Sequence, residues 1–159
     1  MVVIEDYVPP DRLLTSLRDA GLESMLLALA PASPLPTLQE MIDAGTRVQV
    51  SLEHGDGGAL LPNAFAGLVQ ETPFTFRRPR SLEPASSCAT NRGTADAPIF
   101  QFNHWVTPAE PVTARRVNSS ILRARIARCT STRGRGPTLV AVDFAEQGDL
   151  LGVVGRRNR

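Results

Sequence analysis

Val2-Val3-Ile4 is an unbroken β-branched run that turns at once into Glu5-Asp6-Tyr7, and the same pattern closes the chain in Thr138-Leu139-Val140-Ala141-Val142 followed by Asp143-Phe144. Apolar runs that become polar only at their carboxyl ends suit the strands of a parallel sheet buried on both faces. Pro9 and Pro10 then open a helix whose Leu13, Leu14 and Leu17 share one face, with Gly21 placed to end it. The stretch from Val2 to Gly21 therefore reads as a strand followed by a helix, and this unit sets the expectation for the rest.

Outward from it the pattern repeats without any repeat of sequence. Thr37 is placed to cap a short helix with Glu40 three residues later, and Gly45 to end it. A strand over 47–53 leads into His54 and the flexible stretch 55–58, which lacks the Lys and Ser/Thr of a phosphate-binding loop and carries Asp56 instead. Residues 70–96, with Pro73, Pro79, Pro84 and the cluster Arg77, Arg78, Arg80, read as a long solvated loop. A third strand, 99–102, runs into Asn103, His104 and Trp105. A helix over 111–129 follows, and Gly134, Gly136 and Pro137 break the chain before the last strand. Gly148 and Asp149 start a final apolar segment, 150–154. The expected fold class is α/β, with about four parallel strand–helix units joined by crossovers.

Composition narrows the function classes. With 17 basic and 16 acidic residues the chain offers no net field for nucleic acid or an anionic membrane surface. The arginines of the 111–129 helix form no basic stripe, so no nucleic-acid partner is expected. Every basic residue is arginine, which excludes Schiff-base chemistry and any other mechanism that needs a lysine. No apolar run approaches the roughly 20 residues of a membrane helix, and the first residues lack the pattern of a signal peptide. The two cysteines, Cys88 and Cys129, fit no zinc or redox spacing, leaving either one disulfide or two inert thiols.

In a parallel sheet, Glu5 and Asp6, Glu53 and His54, Asn103 and His104, and Asp143 all fall at the carboxyl-terminal rim, where barrel enzymes build their sites. Glu5 or Asp6 either binds a ligand or merely caps the next helix or pairs an arginine. His104 is either a hydrogen-bonded rim residue or a general base. Asp143 ends a buried strand and needs a partner, for which orienting a histidine or arginine is a common solution. Trp105 and Phe144 read as packing.

The ordered set of residues 2–8, Pro36-Thr37-Leu38, Glu71-Thr72-Pro73, Ser87-Cys88, Asn103-His104, Asn118, Cys129 and Val140 to Phe144 resembles the C-terminal half of secreted X-domain proteins related to phosphatidylinositol phospholipase C, across nearly the whole chain. The resemblance implies a distorted TIM-like barrel, of which residues 1–159 would be the C-terminal part with the N-terminal part missing; the chain is short of the roughly 250 residues of a whole barrel. It implies a phosphoric diester hydrolase acting on a phospholipid or inositol-phosphate diester, with one histidine as base and another as acid. Those two histidines belong to strands before Val2, so the roles do not transfer to His54 or His104, and the isolated chain is expected to be inactive. The competing reading is a non-catalytic X-domain-like binding or structural module.

By the same resemblance Glu5 falls where relatives face the inositol phosphate or, in calcium-dependent members, a metal. Asp6 and Asn103 accompany it as substrate-binding candidates, while Asp143 and His104 are the catalytic candidates. No metal site or cofactor is assigned, since one carboxylate pair does not define a calcium site; a calcium requirement is a question for the full-length parent. Secretion of the parent, a Cys88–Cys129 disulfide, convergence of Glu5, His104 and Asp143 on one rim, and self-association through open sheet edges are the remaining expectations.

Overall fold

The computed structural model describes residues 1–30 and 33–156. It divides into two compact units, one made of residues 1–69 and 93–98, the other of 70–92 and 99–159. Residues 31–32 and 157–159 lie outside the described residues.

In the first unit β1 (Val2–Ile4) and β2 (Val50–Leu52) pair in parallel, Val2 opposite Val50 and Ile4 opposite Leu52. Between them run α1 (Pro10–Asp19) and α2 (Leu38–Asp43). Pro10 occupies the first turn of α1, where a missing N–H costs nothing, and Gly21 takes a φ of +71° just beyond its end. The expected capping box of α2 forms in full: Thr37 N donates to Glu40 Oε2 at 2.7 Å, and Glu40 N to Thr37 Oγ1 at 3.2 Å. Leu13, Leu14 and Leu17 pack on a buried cluster of Leu26, Val50, Leu52 and Leu61. Alternation along β2 sends Gln49 and Ser51 to the opposite face, and they are buried too.

The second unit carries a sheet in the order β3 (Val69–Glu71), β4 (Ile99–His104), β5 (Leu139–Val142), its first residue being the last of the other unit. β4 and β5 are parallel, with His104 opposite Val142. Helices α3 (Pro111–Arg116), α4 (Leu122–Arg133) and α5 (Leu150–Gly155) complete it. Phe100 and Phe102 of β4 bury against Leu122, Ile126, Val153 and the Cys88–Cys129 disulfide, whose Cα atoms are 5.1 Å apart.

The α/β class and the parallel pairs match the sequence reading, and the structure differs from it in detail. The strands form a two-stranded and a three-stranded sheet, and no barrel closes among the described residues. β2 is not followed by a helix of its own, and the 70–96 stretch, read as a loop, begins inside a strand and holds two helical turns, Pro79–Leu82 and Ala85–Cys88. The helix expected over 111–129 breaks at Asn118 and Ser119, whose backbones leave the helical region. The break has a local cause. Asn118 Nδ2 donates to the carbonyls of Asp143 at 2.9 Å and Phe144 at 3.3 Å, and the Asn118 carbonyl accepts the Asp149 N–H at 3.0 Å. Asn118 thus serves the turn after β5 instead of its own helix. Gly148, with a φ of +91°, is required there, because a Cβ would lie 2.9 Å from the Asn118 side chain and carbonyl.

Candidate functional site

The end of β1 and the end of β2 leave the sheet side by side, since the strands are parallel and in register. Asp6 joins them: its two carboxylate oxygens each accept a backbone N–H, from His54 and from Gly55, both at 2.8 Å. Gly55 allows this approach because a Cβ there would sit 2.8 Å from Asp6 Oδ2. The Asp6 side chain is 5% exposed. Burial by itself pushes its pKa up, but the backbone donors hold it below the usual carboxylate value. Asp6 is therefore a brace between two strand ends, with both oxygens occupied.

Its neighbours face solvent. Glu5 accepts the hydroxyl of Tyr7, itself exposed, and that hydrogen bond with the nearby carboxylate raises the phenol's pKa. The His54 ring is exposed, with Nδ1 3.6 Å from Asp6 Oδ1 and its centroid 6.1 Å from that of Tyr7. Glu5, Tyr7 and His54 form the accessible polar surface of this rim.

At the end of β4 the polar groups are buried instead. Asn103 Nδ2 donates to Glu71 Oε2 at 2.9 Å and to the Thr72 carbonyl at 2.8 Å. Glu71 is 1% exposed; its other oxygen takes Asn91 Nδ2 at 2.9 Å and Arg92 Nε at 2.5 Å. A buried carboxylate is tolerable only with such partners. Asn103 thereby acts within the fold, and its amide N–H groups are committed to Glu71 and Thr72.

His104, fully buried, uses both ring nitrogens. Nε2 lies 3.0 Å from the Val117 carbonyl and Nδ1 3.2 Å from Arg125 Nη1. A carbonyl can only accept and a guanidinium can only donate, so the ring is neutral, with its proton on Nε2. Burial, with the Arg125 charge acting in the same sense and the Val117 bond against it, pulls the pKa down to about 4. Arg125 is equally buried. It donates to the Ser87 carbonyl at 2.6 Å, Ser87 Oγ at 3.0 Å and the Asn103 carbonyl at 2.5 Å, and its guanidinium lies 4.7 Å from the Phe76 ring centre and 4.3 Å from that of Phe102. Burial lowers its pKa to about 9, which leaves it a cation at neutral pH.

Asp143, half-buried, follows β5 at the same end of the sheet as His104. No hydrogen bond joins the two: the histidine ring is turned to Val117 and Arg125. Within each unit the candidates share one end, Glu5 and Asp6 with His54 in the first, Asn103 and His104 with Asp143 in the second. Asp143 lines a small hollow with Trp105, Glu110 and Asn118.

Sequence reasoning quoted Glu71 and Ser87 for the resemblance without giving them a role, and passed over Arg125. A signal for Arg125 was present, since Leu122, Arg125, Ile126 and Cys129 recur at the spacing of one buried helix face, with an arginine inside an apolar stripe. Periodicity gave none for Glu71: β3 is three residues long and two of them are polar. Among the described residues no three His, Cys, Asp or Glu side chains gather to hold a metal, and no helix is long and apolar enough to cross a membrane.

Comparison with known proteins adds a family. The family model described as PI-PLC X 1 matches residues 3–158. A curated relative, PI-PLC X domain-containing protein 1 from Arthroderma benhamiae, is 28% identical over 143 residues, covering 77% of this chain and 46% of that protein. The chain thus spans less than half the length of that relative. No solved structure matches it.

Proposed function

Because the chain belongs to the PI-PLC X domain family, we propose that it forms part of the barrel of a phosphoric diester hydrolase that acts on a phospholipid or inositol phosphodiester, and supplies that barrel's scaffold and rim rather than its proton-transfer pair. The observation that carries the reading is the family match over 3–158 together with the state of His104. A two-histidine mechanism needs one imidazole with an open lone pair and another that can give up a proton. His104 offers neither, being buried with both nitrogens engaged, so His54 is the one imidazole of this chain with an exposed ring. At least one histidine of the pair then comes from outside these residues.

Within that reading each rim group has a role. Glu5 faces the substrate from the end of β1, and Asp143 accepts a hydrogen bond from a histidine contributed by the rest of the barrel. Asp6 sets the position of the β2 end in its unit, and Asn103 that of the β3 end in the other. The parallel pairs β1–β2 and β4–β5, each with helices packed on one face, support a TIM-like arrangement for the whole domain. The Cys88–Cys129 disulfide supports a secreted or otherwise oxidising location. Exposed Val2 and Val3 on β1, and Leu139 on β5, are apolar positions on strands that each have one neighbour, which favours self-association of the isolated chain.

The test is an assay of the purified chain for release of soluble inositol phosphate from phosphatidylinositol vesicles, beside size-exclusion chromatography. No turnover is expected, because each missing proton transfer is worth typically about 10² to 10⁴ in rate. Turnover by a monomer, abolished by His104→Gln but not by His54→Gln, would reverse the assignment.

A further inference from the structure

Beside Asp143, to which the phosphodiesterase reading gives one hydrogen bond, the turn after β5 holds a group that this reading leaves unused, the Asn118 side chain. Asn118 is fully buried and spends its amide N–H groups on the Asp143 and Phe144 carbonyls, yet its Oδ1 has no partner. A buried acceptor left unpaired is costly, on the order of 1–3 kcal/mol. Asn118 lines a hollow of about 10 Å³ together with Asp143, Glu110, Thr113 and Trp105. Among the described residues neither the Asp143 nor the Glu110 carboxylate has a hydrogen bond or an ion pair. Three residues with acceptor groups, two of them carboxylates, therefore line a space for one small sphere.

We propose that this hollow binds a single hard cation of the Ca²⁺ class, held by Asn118 Oδ1 and the Asp143 and Glu110 carboxylates, with water filling the outward positions. Oxygen-only donors select calcium over the softer transition metals, and the volume suits one ion and not an organic group. Two charges on a short loop and a helix start give a weak site, in the range of about 10⁻⁴ to 10⁻³ M found for extracellular calcium modules. The ion would tie the β5 turn, through Asp143, to the start of α3, where Glu110 is the residue before Pro111.

Trp105 is the single tryptophan of the chain and lines the same hollow, which makes it a built-in reporter. Terbium(III) added to the purified chain and excited through Trp105 should give sensitised emission that calcium competes away. Asp143→Asn and Glu110→Gln should each weaken terbium binding at least tenfold with the circular dichroism spectrum unchanged, while Asp19→Asn, at the exposed end of α1, leaves it intact. Calorimetry with calcium on Trp105→Phe should still record binding after the optical signal is gone. Emission that calcium does not compete, emission that survives Asp143→Asn, or no emission at all would overturn the proposal and leave a bound water as the partner of Asn118. None of these readouts depends on phosphodiesterase activity, so the two ideas fail separately.

Discussion

The two units end their strands in opposite ways. After β1 and β2 the polar groups are mostly wet: one aspartate gathers two backbone N–H groups, and Glu5, Tyr7 and His54 stay in solvent around it. After β4 the polar groups are dry, with Arg125 and Glu71 as buried charges, His104 as a buried neutral base, and a disulfide behind them. A wet rim leaves side chains free for a ligand, whereas a dry network spends its side chains on one another. Residues of the same type at the same place on a strand can therefore differ in what chemistry is left to them, as His54 and His104 do.

If that contrast is right, the largest effect belongs to Arg125. Arg125→Met keeps some of the stem volume but strips donors from the Ser87 and Asn103 carbonyls and from His104 Nδ1, at a cost of about 3 to 5 kcal/mol. Urea unfolding followed by Trp105 fluorescence measures it, and a loss below about 1 kcal/mol would show the network to be dispensable. The disulfide comes next. Cys88→Ser with Cys129→Ser should cost on the order of 3 to 4 kcal/mol by the loop-entropy estimate, read in the same unfolding experiment.

The pH dependence sharpens the comparison, because only the dry side carries a depressed histidine. His104 binds its proton at about pH 4 in the folded chain and near 6.5 when unfolded, so the unfolded state holds more protons between those values. Stability contributed by the neutral ring is complete above about pH 6.5 and is lost as pH falls toward 4, by on the order of 3 kcal/mol. Unfolding curves across that window should show the loss in wild type and a much flatter profile in His104→Gln. The smallest effect lies in the first unit, where Thr37→Ala removes the capping box of α2 and should cost about 1 kcal/mol, seen as faster amide exchange over 38–43.

The fold was legible where the signal was local. The β-branched runs at both ends of the chain, the paired prolines before α1 and the Thr37–Glu40 spacing each name their element without reference to anything distant. Val69-Gln70-Glu71 did not announce a strand, because its pairing comes from β4, some 30 residues away. The break after α3 was half-written: Asn118-Ser119-Ser120 are residues that compete for backbone hydrogen bonds, but the carbonyls that capture Asn118 belong to the turn after β5. The site divides in the same way. The sequence places Glu5, Asp6, Asn103, His104 and Asp143 at strand ends, which is a matter of alternation and length. It does not say that His104 meets Arg125 and Val117, since that meeting depends on which face of a broken helix turns inward.

That His104 is structural and not one of an acid–base pair is tested most directly by nitrogen-detected NMR of the imidazoles during a pH titration. His104 should remain a neutral ring protonated on Nε2 from pH 8 down to about pH 5, beginning to charge only toward pH 4 and as the second unit unfolds. A His104 ring that titrates reversibly near pH 6.5 in the folded protein, with its tautomer free to exchange, would contradict the account.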